Sequence, residues 1–166
     1  MKPILYMMIG IPGCGKSTFA KEFVNSHPNT IIVSRDKIRL SLLKPEDPYF
    51  SKEKEVYQLF SAIIYNKLRA GVSVIADATH LNIGARRKLI TTLALDYKFS
   101  QDNYDIIYVW IDTPLSVCIE RDNLRTGREH VTAEKIREML SWFKAPKENE
   151  FYNLKEVWHI EHFSDF

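Results

Sequence analysis

Near the start of the chain, Gly10-Ile11-Pro12-Gly13-Cys14-Gly15-Lys16-Ser17 carries the spacing G-x-x-x-x-G-K-[ST]. These residue types suit phosphate chemistry. Glycines at 10, 13 and 15 let successive backbone N–H groups turn inward as an anion nest. A helix opening at Lys16 adds the positive end of its dipole. In such a loop a lysine ammonium reaches the β- and γ-phosphates of a nucleoside triphosphate, and a serine hydroxyl ligates Mg²⁺. Lys16 and Ser17 are the candidates for those tasks, with Gly10, Gly13, Cys14, Gly15 and Thr18 completing a site for ATP or another nucleoside triphosphate. Cys14 is read as filling a variable loop position, although a helix N-terminus lowers a thiol pKa and opens a route to oxidant sensitivity.

A second group follows at Ser34-Arg35-Asp36-Lys37-Ile38-Arg39. If a helix starts there, Asp36 and Arg39 share a face. A carboxylate beside a guanidinium fork suits phosphoryl transfer to a hydroxyl, with Asp36 taking the proton and Arg39 clamping an anionic group of the acceptor. A capping aspartate with a surface ion pair has the same spacing. Asp77, at the end of an apolar run, is a candidate for holding a metal-bound water, or for organising the turn of Thr79 and Asn82. Arg86 and Arg87 open a helix where the dipole disfavours cations, which makes Arg86 an acceptor-side candidate as well as a residue of a solvated face. The loop from 121 to 131 offers Arg121, Arg125 and Arg128. An arginine brought by a mobile loop neutralises charge on the transferring group, worth roughly 10³-fold or more in rate.

Strands and helices alternate around these residues. Apolar runs at 3–9, 30–33, 72–76 and 104–111 predict strands, with a last one at 156–160. Three-to-four spacing predicts helices over 16–25, 36–43, 51–70 and 83–95. Gly71 closes the third of these and Asn82 caps the fourth. Thr113 and Pro114 predict a cap and first helical residue for a helix to about 124, and Thr132 caps another ending before Pro146. Continuous apolar runs alternating with helices imply an α/β three-layer fold, a parallel sheet with helices on both faces. Candidate residues then collect at the carboxyl ends of the strands.

A length of 166 residues suits one domain spanning 1–166. With 23 Lys+Arg against 21 Asp+Glu, the net charge of +2 excludes holding nucleic acid by the field of the whole molecule and requires a local patch. Cys14 and Cys118 form neither a disulfide framework nor a metal spacing, so a reducing cytoplasm is expected. His159 and His162 lack further histidine or cysteine nearby for zinc. The first nine residues run straight into the glycine loop with no cleavage site, so no signal peptide is expected, and no segment has the length of a membrane span.

The glycine loop followed by Ser34-Arg35-Asp36-x-x-Arg39 resembles the 5′-kinase domain of polynucleotide kinases, within a P-loop kinase group that also holds zeta-toxin-like kinases. The resemblance continues through Val74-Ile75-Ala76-Asp77-Ala78-Thr79-His80-Leu81-Asn82, Arg86-Arg87 and the loop 121–131, to about Pro146. It implies ATP and Mg²⁺ on Lys16 and Ser17, Asp36 as general base, and Arg39 on the phosphate next to the 5′-hydroxyl of DNA or RNA. It also implies a lid arginine at the γ-phosphate; Arg125 fits the register best, and Arg-Thr-Gly-Arg makes Arg128 a rival. Bifunctional members carry a following phosphatase domain, for which this chain leaves no room.

Two other readings stay open. A small-molecule kinase would act on a nucleotide sugar, a sugar acid or an antibiotic hydroxyl; a nucleotide-dependent binding module would transfer nothing. The absence of an Asn-Lys-x-Asp run argues against a GTPase. A basic path from Arg39 through Lys37, Lys44 and Arg35 would favour a polymer, a closed pocket a metabolite. Tyr49, Phe50 and Tyr57 are candidates for stacking an acceptor base, against packing at the core or its rim.

Overall fold

Alternation inside each apolar run decides the architecture. Leu5, Met7 and Ile9 of strand β1 (Ile4–Ile9) face one apolar layer, and Tyr6 and Met8 face the other. A strand buried on both faces reads as continuously apolar. The computed structural model describes residues 1–161; residues 162–166, including His162 and the end of the expected 1–166 span, lie outside the described residues.

The described residues form five strands: β1, β2 (Thr30–Ser34), β3 (Ser73–Asp77), β4 (Asp105–Ile111) and β5 (Leu154–Ile160). They make one parallel sheet in the order β2-β3-β1-β4-β5. Helices α3 (Glu53–Arg69) and α4 (Ile83–Leu95) supply Phe60, Ile64, Leu68, Leu89 and Leu93 to one core layer. Helices α1 (Lys16–Ser26), α5 (Leu115–Asn123) and α6 (Ala133–Ser141) supply Ala20, Cys118 and Ile136 to the other. The short α2 (Arg35–Leu42) rides outside the β2 edge against α3. The chain turns one way after β1 and the other way after β4, so the crevice between these neighbours is a topological switch point.

Local signals match closely where they are local. Asn82 caps α4 by accepting from the Ala85 N–H at 2.9 Å. Gly71, at φ +81°, follows α3, a conformation that costs glycine little. Thr132 caps α6 by accepting from the Lys135 N–H.

Other boundaries move. Helix α5 starts at Leu115 with Pro114 as its cap, because the Thr113 hydroxyl is spent elsewhere, as described below. The same helix runs through Asn123, so the lid loop is confined to 124–132 and contains a 3₁₀ turn at Gly127–Glu129. A second 3₁₀ turn at Gln101–Asn103 and an earlier start of β5 at Leu154 carry no apolar signal of their own.

Candidate functional site

The phosphate loop joins β1 to α1 and is shaped by backbone. Gly10, Gly13 and Gly15 all have positive φ. At Gly13, with φ +83°, an added Cβ would stand 2.5 Å from the Cys118 carbonyl oxygen of α5. No described side chain caps α1 and no acidic residue sits in its first turn, which leaves its first N–H groups pointing into the loop. Neighbouring turns fix the loop from both sides. The Gly10 N–H donates to the Thr79 carbonyl at 3.1 Å, and the Thr113 hydroxyl donates to the Cys14 carbonyl at 2.7 Å. Arg121 Nη1 donates to the Gly13 carbonyl at 3.3 Å. The Lys16 ammonium folds over the same loop, donating to the carbonyls of Gly10 at 2.8 Å and Ile11 at 3.0 Å. Cys14 is fully buried beneath it.

Ser17 and Asp77 meet at the mouth of the loop, where the Ser17 hydroxyl donates to Asp77 Oδ2 at 2.9 Å. Burial raises the Asp77 carboxyl above its ordinary value, against the Lys16 charge and the Ser17 hydroxyl, which both lower it. Two hard oxygen donors beside an anion nest fit Mg²⁺, a cation that keeps few protein ligands and shares substrate phosphates. No group of three or more His, Cys, Asp or Glu suited to a metal occurs among the described residues.

The second group lies at the end of β2, whose Ser34 pairs with Asp77 of β3. Ser34 caps α2, which places Asp36 and Arg39 on one face as the spacing requires. Asp36 is 77% exposed while the Arg39 side chain is 6% exposed. Arg39 Nη1 donates to Asp36 Oδ1 at 2.5 Å and to the Tyr49 hydroxyl at 3.4 Å. Its Nε and Nη2 grip both oxygens of Glu53, at 2.9 and 2.6 Å. The guanidinium also lies 4.9 Å from the Tyr49 ring centre and 5.2 Å from that of Phe50. Phe50 is 60% exposed.

Arg39, the expected acceptor clamp, is thus held by a bidentate carboxylate as well as by Asp36. Glu53 carries no sequence signal, since it stands fourteen residues away at the first turn of another helix.

Several candidates have other employment. Arg86 is 1% exposed; it pairs with Glu150 at 2.8 Å and donates to the carbonyls of His80 and Lys144. With four of its five N–H donors engaged and the residue buried, Arg86 is not on a solvated face, and its bonds go to Glu150 and two backbone carbonyls. Arg87 is exposed. Asn82 is occupied as the α4 cap. Thr79 contributes its carbonyl to the phosphate loop.

Of the lid arginines, Arg121 touches the phosphate loop from α5, and Arg125 is exposed just beyond that helix. Arg128 Nη2 donates to the carbonyls of Lys44, Pro45 and Asp47, at 3.2, 2.7 and 2.7 Å, tying the lid to the loop between α2 and α3. The lid's other anchor is buried Asp122, which accepts from the N–H groups of Val131 and Thr132 at 2.8 and 2.9 Å. His159 bonds Asp112 at 2.9 Å and stacks on Trp110.

A phosphate loop between β1 and α1, a Ser17–Asp77 pair and the strand order define a P-loop kinase fold. Residues 5–146 match the AAA_33 family of AAA domains, and the chain belongs to that family. It is 29% identical over 163 residues to an L-seryl-tRNA(Sec) kinase of Methanococcus maripaludis, an alignment covering 93% of this chain and 58% of that protein. The chain thus spans little more than half the length of that relative. A chain of the Pnkp1/Rnl/Hen1 RNA repair complex superposes with a TM-score of 0.70 at 25% identity, over 85% of this chain and 44% of that one. A sugar kinase from Janibacter sp. HTCC2649 shares the fold, with a TM-score of 0.63 at 14% identity over 97% and 85% of the two chains. The described residues thus have the fold of a P-loop kinase, which implies a nucleoside triphosphate donor and usually Mg²⁺. No helix among the described residues is long and apolar enough to cross a membrane.

Proposed function

We propose that this kinase transfers the γ-phosphate of ATP to a hydroxyl carried by a nucleic acid, with the 5′-hydroxyl of an RNA or DNA end as acceptor. The observation that carries this reading is the exposed Asp36 carboxylate, paired with Arg39, whose guanidinium also lies 5.2 Å from the centre of the exposed Phe50 ring. A general base must reach its proton directly, and an aromatic face beside it accepts any terminal base by stacking. Asp36 takes the proton of the hydroxyl; the oxygen attacks the γ-phosphorus, and the bond to the β-phosphate oxygen breaks. Lys16 leaves its loop carbonyls for the β- and γ-phosphates, whose bound geometry the loop N–H groups set. Ser17 and Asp77 would hold Mg²⁺, which would supply further neutralisation of phosphate charge. Arg121, already against Gly13, is the lid-side arginine best seated to meet the transferring group.

The 29% identity to the seryl-tRNA kinase favours a second reading, in which the hydroxyl belongs to an aminoacyl group on RNA. One experiment separates the two. Radiolabelled ATP and Mg²⁺ are offered with 5′-hydroxyl RNA, 5′-hydroxyl DNA, seryl-tRNA and a panel of sugars, with Asp36→Asn as control. Label on oligonucleotide ends that Asp36→Asn abolishes is the expected result. Label on seryl-tRNA alone selects the second reading, and label on a sugar alone ends both.

A further inference from the structure

Arg35 is held more loosely than its neighbour Arg39, by a long ion pair to Glu53 and by the Tyr57 ring. Its guanidinium donates no hydrogen bond among the described residues, and its Nε is buried without a partner. The nearest carboxylate oxygen, on Glu53, is 3.7 Å away and already serves Arg39 at 2.6 Å. The side chain is 29% exposed, so the group is half desolvated yet open on one side. Buried polar groups are almost always satisfied, so the buried, unpartnered Nε of Arg35, one residue from the proposed base, needs an explanation. Burial and the neighbouring Arg39 both lower its pKa, with Glu53 opposing, so an added anion would relieve a standing electrostatic cost.

A second cation meets Arg35 at the same aromatic ring. Tyr57 of α3 reaches across to α4, where its hydroxyl bonds Thr92 Oγ1 at 2.7 Å and the Lys88 carbonyl at 3.2 Å. The Arg35 guanidinium lies 5.5 Å from the centre of that ring and the exposed Lys88 ammonium 4.2 Å. Tyr57 is thus fixed by its hydroxyl and presents its ring to two positive groups, one on α2 and one on α4. Arg35 directly precedes Asp36, the proposed base. Arg39, by contrast, can receive a phosphate only by displacing a carboxylate.

We infer that Arg35 and Lys88, gathered around Tyr57, form a phosphate subsite for the acceptor strand, taking the phosphodiester that follows the reacting nucleotide, while Arg39 works by positioning Asp36. This rests on the nucleic-acid reading of the site. It keeps Arg35 from the basic path expected through Lys37, Lys44 and Arg35, and continues it from α2 across α3 to Lys88 of α4.

The test pairs protein and substrate changes. Short 5′-hydroxyl oligonucleotides are compared with the same strands carrying a neutral methylphosphonate at the first linkage, for the wild type and for Arg35→Gln, Arg35→Lys and Lys88→Gln. In the wild type the methylphosphonate is expected to raise the acceptor KM by about tenfold with little change in kcat. Arg35→Gln is expected to raise the KM for the natural strand by a similar factor and to abolish discrimination between the two strands. Arg35→Lys should recover part of it, and Lys88→Gln should reduce the salt dependence of binding by about one phosphate contact. Equal losses on both strands in Arg35→Gln would mean a structural role and overturn the subsite, as would an unchanged KM. If the wild type neither binds nor labels any oligonucleotide, the nucleic-acid reading itself falls and takes the subsite with it.

Discussion

The phosphate loop and the Arg39 cluster lie at the same end of the sheet but are held by different kinds of bond. Around the loop nearly every fastening uses backbone: the Gly10 N–H on Thr79, the carbonyls of Gly10 and Ile11 under Lys16, and the Cys14 carbonyl under Thr113. Around Arg39 every fastening uses side chains drawn from separate segments, Asp36, Tyr49 and Glu53. Backbone groups are the same in any sequence that takes the turn, so the donor half depends mainly on glycine. Side-chain pairs depend on identity and on desolvation, so the acceptor half stakes its stability on which residues are present.

The contrast predicts that the donor half breaks in rate and the acceptor half in stability. Lys16→Ala should lower single-turnover transfer by about 10³-fold while leaving urea denaturation nearly unchanged. A variant that transfers at close to the wild-type rate would remove Lys16 from the chemistry.

Glu53→Ala leaves the buried Arg39 guanidinium without its bidentate partner. It should cost about 2 kcal/mol of unfolding free energy, and a double-mutant cycle with Arg39→Ala should show coupling of about 1 kcal/mol or more. Additive losses in that cycle would put the acceptor half on the same footing as the loop.

His80, between the two halves, offers a third test. Burial and the charges of Arg35, Arg86 and Lys16 lower its pKa from 6.5 to about 4, against the raising effect of its bond to the Met8 carbonyl. The folded state therefore refuses a proton that the unfolded chain accepts. The corresponding stability is fully present above the unfolded value and is lost as pH falls toward the folded one. Between about pH 7 and about pH 5 the expected loss is roughly 2 kcal/mol, read by denaturation at each pH. His80→Asn should flatten that slope; an unaltered slope would assign the acid sensitivity to other groups.

The smallest expected effect is at the lid. Arg128→Ala removes exposed bonds to three carbonyls and should raise the acceptor KM by about two- to fivefold, less than 1 kcal/mol, with the KM for ATP unchanged. A larger change for ATP than for the acceptor would reverse the assignment of that contact.

What was legible in the sequence divides along the same line. Strand runs, the Asn82 and Thr132 caps, Gly71 and the loop itself are local patterns, and residues a few positions apart suffice to encode them. The Asp36–Arg39 pair was legible for the same reason. Glu53, Glu150 and the Thr113 hydroxyl act over separations of 14, 64 and 99 residues, and no spacing announces such partners. Arg86 shows the cost of that blindness. Its position at a helix start suggested either the acceptor side or a solvated face, whereas Glu150 draws it into the core.

Gly13 has a mechanical consequence. Its backbone lies so close to the Cys118 carbonyl that not even a methyl group fits between them. A contact without side chains has no rotamers with which to absorb a displacement, so the phosphate loop and α5 behave as one rigid body. The segment 124–132 leaves that junction at the end of α5 and is tied back to it where Asp122 accepts from the Val131 and Thr132 N–H groups.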